Sequence, residues 1–226
     1  MKTDKLVIER QFLILTEGAD AYYYLIWMLN SEVFAGDNRF INDIQVLDFG
    51  GITELKGYLM ALKQLDNFPD VKGMMVIRDA ESDYESAVRE IKQALLENDM
   101  ESEDKPGSWK IGSPAICYAL FPSCDDAPKN GTLEDLCLST ISDANWDSLQ
   151  SEIDVFLEKI KTEYGEKYPR EFKNKLHVYF SIKDKYVGLK IGEAAKANAF
   201  NWDNPGVLSL KRIIKEGLDV SGIPVQ

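Results

Sequence analysis

The residues with chemical reach in this sequence are mostly carboxylates, and they recur at one kind of place. Apolar runs end in Thr16-Glu17-Gly18-Ala19-Asp20, Asp48-Phe49-Gly50-Gly51, Arg78-Asp79-Ala80-Glu81-Ser82-Asp83 and Ser123-Cys124-Asp125-Asp126. If those runs are neighbouring strands, their acids meet at one rim. Two like charges about 4 Å apart repel by roughly 4 kcal/mol at an effective dielectric of 20, against a net domain stability of only ~5–15 kcal/mol. Protons or a cation must neutralise such a cluster. All-oxygen ligation selects a hard ion, Mg²⁺ or Mn²⁺, over zinc. Glu17, Asp79 and Glu81 are the expected ligands. Asp79 and Glu81 are two apart, which on an extended segment turns both side chains the same way. Asp83 can share the duty, although the start of a helix would use its charge equally well. Asp20 also reads as a helix N-cap. Glu17 has no such alternative, so a structural role for it needs a specific partner. Gly18 relieves a tight turn, and Gly50-Gly51 lets backbone amides approach a ligand or phosphate group at a helix start.

Positioning these residues falls to an alternation of elements. Residues 9–16, 44–49, 71–78 and 113–121 read as buried strands, while 20–30, 53–65 and 83–98 between them read as helices. Leu55, Leu59, Leu62 and Leu65 form one stripe, and Val88, Ile91 and Leu95 another. Ser82 with Glu85 reads as a capping box for the third helix. Strand and helix in strict alternation predict a parallel sheet of about four strands covered by helices, an α/β fold. Beyond it, 145–163, 170–182 and 207–217 read as helices, the last capped by Gly217. These divide the chain into an α/β part over 1–140 and a helical extension over 141–226 packed on it. The polar stretch 98–110 is the one place where composition favours disorder.

Composition limits the partners. The 226 residues carry a formal net charge of −12, which argues against a general polyanion binder. The charge is uneven, however. From Lys167 to Lys215 eleven Lys or Arg face four Asp or Glu, so a basic surface meeting DNA or RNA and pairing with the acidic remainder are both open. Met1–Arg10 lacks the apolar core of a secretory signal. The apolar run Ala21–Leu29 is under half of the ~20 residues that span a bilayer. A cytoplasmic protein without membrane contact is expected. Cys117, Cys124 and Cys137 with the single His177 leave a Cys3His zinc site arithmetically open, but buried reduced thiols are the plainer reading.

The order of these motifs resembles the Toprim domain of topoisomerases, bacterial primases and related nucleases. An apolar strand ends in Glu17-Gly18, a second in Asp48-Phe49-Gly50-Gly51 and a third in Asp79-Ala80-Glu81. The resemblance implies general acid/base chemistry at Glu17 and an acidic pair holding Mg²⁺ at Asp79 and Glu81. The family's second aspartate is here Glu81. The chain also resembles uncharacterised bacterial Toprim-like proteins in Gly131–Leu136 and Gly192–Ala195. By likeness to overcoming-lysogenization-defect nucleases, Glu134 becomes a candidate for a second metal, with Asp20 beside it. A helix start with Thr132 as cap accounts for Glu134-Asp135 without any metal.

The function expected from these features is metal-dependent phosphodiester chemistry on a nucleic acid. Lys173 or Lys175 would neutralise the transition-state charge. The alternative is a non-catalytic Toprim-like module that binds a metal, a nucleotide or a protein partner. A receiver-like phosphoacceptor at Asp79 fits less well, because it needs an acidic pair after the first strand. Neither a Gly-x4-Gly-Lys-Ser/Thr phosphate loop nor a Gly-x-Gly-x-x-Gly turn occurs.

Overall fold

The computed structural model describes residues 6–124, 128–165 and 171–225. Asp125, Asp126, Lys167 and Arg170 lie outside the described residues. Four strands, β1 (Phe12–Thr16), β2 (Ile44–Asp48), β3 (Gly73–Asp79) and β4 (Ala115–Phe121), form one parallel sheet in the order β2-β1-β3-β4. The expected α/β class and strand number hold.

Alternation along the strands sends side chains to two cores. Leu13, Leu15, Met74, Val76, Ile116 and Tyr118 face one side, where α3 (Ile52–Lys63) and α4 (Tyr84–Leu96) cover them with Leu55, Leu59, Leu62, Ile91 and Leu95. Phe12, Ile14, Met75, Ile77, Cys117 and Ala119 face the other side. On this side the crossover from β1 to β2 contributes α1 (Gly18–Leu29) and one further short helical turn, too little to cover four strands. The helices after β4 complete that face: α5 (Leu133–Ser139), α6 (Trp146–Tyr164), α7 (Glu171–Ser181), α8 (Ile191–Lys196) and α9 (Pro205–Val220). Val207, Leu210, Ile213, Ile214 and Leu218 of α9 join this core, as do Ile153 of α6 and Leu176 of α7. The stretch over 141–226 therefore shares its hydrophobic core with the sheet.

Local readings needed correction at several points. A short helix α2 (Arg39–Asn42) precedes β2, with Phe40 set edge-on to Phe34 at 5.0 Å. The cap of α4 is Asp83, whose Oδ1 accepts from Ser86 N at 2.9 Å, in place of the Ser82–Glu85 box. Helix α1 begins at Gly18, so Asp20 sits in its first turn and not at its cap. Gly217 lies inside α9, which continues to Val220. A Cβ at Gly217 would overlap the Trp109 ring, and Trp109 Nε1 donates to the Ile213 carbonyl at 2.8 Å. That packing also pins the polar stretch 98–110, where Met100 and Trp109 are buried and Tyr118 Oη donates to the Asp104 carbonyl. Gly192 has a similar use, since it lets α8 close on Tyr23 of α1.

Candidate functional site: an acidic cleft at the strand ends

In a parallel sheet of this order, connections from β1 and β3 depart in opposite directions, which opens a crevice at their carboxyl ends. A cleft of about 830 Å³ lies there, between the rim and the α5 and α7 side of the molecule. Glu17, Gly18, Asp20, Asp79, Glu81, Glu134 and Lys173 all line it. Residues far apart in the chain are thus brought to one place.

Each acid is held differently. Asp79 ends β3, and its Oδ1 accepts from Leu133 N at the start of α5 at 2.8 Å. Burial first, then the nearby charges of Glu134, Glu81 and Glu17, push its carboxyl up to about 7 against one stabilising backbone bond. The cleft is short of positive charge at that point. Glu81 is not on an extended segment. Its φ is +53°, in the left-handed region, and its backbone pairs with Gly131 through two 2.8 Å hydrogen bonds. The rule of alternation therefore does not relate it to Asp79, although both reach the same cleft. Glu134 is buried in the first turn of α5 and meets Lys173 Nζ at 3.6 Å. The helix start expected as an explanation of Glu134-Asp135 is present, with Asp135 Oδ2 accepting from Thr132 N at 2.7 Å.

Glu17 has the partner that the sequence reading missed. Its Oε2 lies 3.0 Å from Arg78 Nε, and its Oε1 accepts from Ile52 N at 3.1 Å. Arg78 is itself nearly fully buried and also binds Glu90 Oε2 at 2.6 Å. Strand parity could have found this pair once β1 is placed beside β3. Leu13, Leu15 and Glu17 share the face of Met74, Val76 and Arg78, while Asp79 points to the other face.

The remaining expected residues stand elsewhere. Asp83 caps α4 and does not line the cleft. Lys175 turns to Asp154 of α6 at 2.7 Å. Gly50 and Gly51 also lie off the cleft, at the start of α3. The amides of Gly18 and Gly50 both donate to Asp48 Oδ1, at 2.9 and 2.8 Å, so this carboxylate occupies the place foreseen for a ligand anion. Both glycines have φ above +80°, which that turn requires.

For a divalent cation, the donors suit in type and in charge. The cleft is lined by hard oxygens in excess of cations, and Glu17 Oε2 is a buried atom without an aligned hydrogen bond. As arranged, no three His, Cys, Asp or Glu side chains among the described residues form a ready metal-holding group. The reason is geometric: Glu17 leans to the α3 side and Asp79 to the α5 side of the sheet rim.

Part of the basic charge after Lys167 is paired within the molecule. Lys173 meets Glu134, Lys175 meets Asp154 and Lys183 meets Asp143. Lys196 sits over the Trp27 ring and Lys211 over that of Phe34. The cysteines are buried free thiols. His177 is exposed, its ring 6.3 Å from Phe180. Among the described residues no helix is long and apolar enough to cross a membrane.

Fold and site together define a parallel α/β protein with an acidic crevice at the switch point of its sheet. The chain belongs to DUF3226, a family of proteins of unknown function, whose model matches residues 11–218, from just before β1 into α9. No curated protein and no solved structure matches it.

Proposed function

We propose that the cleft takes up Mg²⁺ or Mn²⁺ on Asp79, Glu81 and Glu17, and that the protein carries out Toprim-like phosphodiester chemistry on a nucleic acid. One observation carries this reading: six carboxylates and a lysine converge on a single crevice in which Asp79 lacks a compensating charge. The order of the Glu17-Gly18 and Asp79-x-Glu81 strand ends along the rim supports the Toprim-like character. When bound, the ion would polarise a phosphate oxygen and activate water. Asp79, fixed by Leu133 N, orients the site. Glu17 is placed to take or give a proton once it leaves Arg78. Lys173, paired with Glu134 through a long contact, can turn to a phosphate oxygen and offset charge in the transition state. In this reading Glu134 and Asp20 would serve a second ion.

The test is titration with Mn²⁺ followed by incubation with single- and double-stranded DNA and with RNA, beside Glu17→Gln and Asp79→Asn. Saturable Mn²⁺ uptake with cleavage in wild type, and loss of cleavage in both variants, is the expected result. Equal cleavage by all three proteins, or no uptake of Mn²⁺, removes the reading. A second reading is a non-catalytic binding module on the same scaffold. The Arg78–Glu17 pair favours it, because an arginine already neutralises the Glu17 carboxylate in the resting protein. Mn²⁺ uptake without cleavage of any substrate would select it.

A further inference from the structure

Arg78 is a buried cation directly beneath the acidic rim, and its two ion pairs are unequal. Its side chain is 6% exposed, with Nη1 in an aligned 2.6 Å hydrogen bond to Glu90 Oε2. Towards Glu17 the distance is 3.0 Å, yet Arg78 Nε and Glu17 Oε2 are both buried without an aligned hydrogen bond. Charge holds that contact and directional bonding does not, so it is the weaker of the two. The Glu90 side chain is 49% exposed and lies on the outer side of the pair.

We propose that Arg78 is a positioning residue that latches the Glu17 carboxylate on the α3 side of the cleft, apart from Asp79, standing in for the divalent cation until one arrives. The inference rests on the metal reading above and names its regulation. Two cations cannot share one carboxylate at full strength, so an incoming ion and Arg78 compete for Glu17. Binding of the ion releases Glu17 from Arg78 and from Ile52 N, and Arg78 remains neutralised by Glu90. The latch explains why the acids of the rim form no ready metal-holding group while lining one cleft. It also sets a threshold, since only an ion present at sufficient concentration opens it.

The experiment measures Mn²⁺ affinity by calorimetry in wild type, Arg78→Gln, Glu90→Gln and Asp79→Asn, with the Arg78 and Glu90 changes repeated in a Glu17→Gln background. Arg78→Gln should bind Mn²⁺ about tenfold more tightly, as expected for loss of an intramolecular competitor. Glu90→Gln should bind about fivefold more weakly, because Arg78 then bears on Glu17 alone. In the Glu17→Gln background both differences should vanish. Unchanged or weaker binding by Arg78→Gln overturns the latch, while loss of binding in Asp79→Asn leaves the metal reading standing. Differences that persist without Glu17 show long-range charge only and also overturn it. Absence of Mn²⁺ binding from every protein overturns latch and metal reading together. Should Arg78→Gln fail to fold, Glu90→Gln at its exposed position decides alone, and unchanged or tighter binding there ends the proposal.

Discussion

Asp79 shows how a single side chain at the cleft can be costly to the fold. Its carboxyl is pushed up to about 7, so between the ordinary carboxylate range and neutrality the folded state holds a proton that the unfolded chain releases. Stability must then fall as pH rises through that window, by up to about 4 kcal/mol from this group in the metal-free protein. Asparagine keeps the acceptor for Leu133 N and removes the charge. Asp79→Asn should therefore match wild type at pH 4 and exceed it by a few kcal/mol at pH 8, measured by urea titration. Parallel stability curves for the two proteins would refute the account. If the proposed metal site is real, divalent ions should narrow the gap at pH 8 by stabilising wild type more than the variant.

Among the elements, glycine has opposite meanings in two helices. Gly217 in α9 meets the Trp109 ring, and a methyl group there would force the indole or the helix to shift. Gly217→Ala should lower stability by about 1–3 kcal/mol. Gly57 is exposed in the middle of α3 with open space around it. Gly57→Ala should raise stability by about 0.5–1 kcal/mol, through the reduced freedom of the unfolded chain. Thermal unfolding of the two variants, read against wild type, checks both signs at once. Sequence made the α9 stripe legible but read Gly217 as its end. The ring that claims the glycine comes from a segment more than a hundred residues earlier.

At the scale of the whole molecule, Arg39 of α2 ties the segment between β1 and β2 to the C-terminal helix. This buried guanidinium binds Asp37 Oδ2 and Asp219 Oδ1, both at 2.7 Å, and the Ile223 carbonyl at 3.0 Å. It joins the region before β2 to the end of α9, across the face that α1 leaves uncovered. Arg39→Met would leave half-buried Asp37 without its cation and the Ile223 carbonyl without its donor, at a loss of about 1–3 kcal/mol. The side-chain hydrogen bond from Arg39 holds the Asp37 carboxyl below its usual range. Its contribution is therefore present above the unfolded carboxylate range and fades as pH falls through the lowered one. Chemical denaturation at pH 7 and pH 3 should show a variant deficit that shrinks in acid.

Composition and periodicity by themselves determined the class of this protein: four apolar runs, each followed by acids and a helical pattern, admit a parallel sheet with its acids at one edge. Strand parity was legible too: it puts Glu17 on the face of Leu13 and Leu15, and Arg78 on the face of Met74 and Val76, but pairing the two also required β1 to lie beside β3. The tertiary structure alone decided the strand order, the face on which α5 to α9 pack, and the partner of each carboxylate. Those depend on contacts between distant segments, which periodicity does not encode. Asp83, Lys175 and the Gly18 and Gly50 amides were drawn into caps, ion pairs and turns for the same reason: a buried polar group takes the nearest partner the fold supplies.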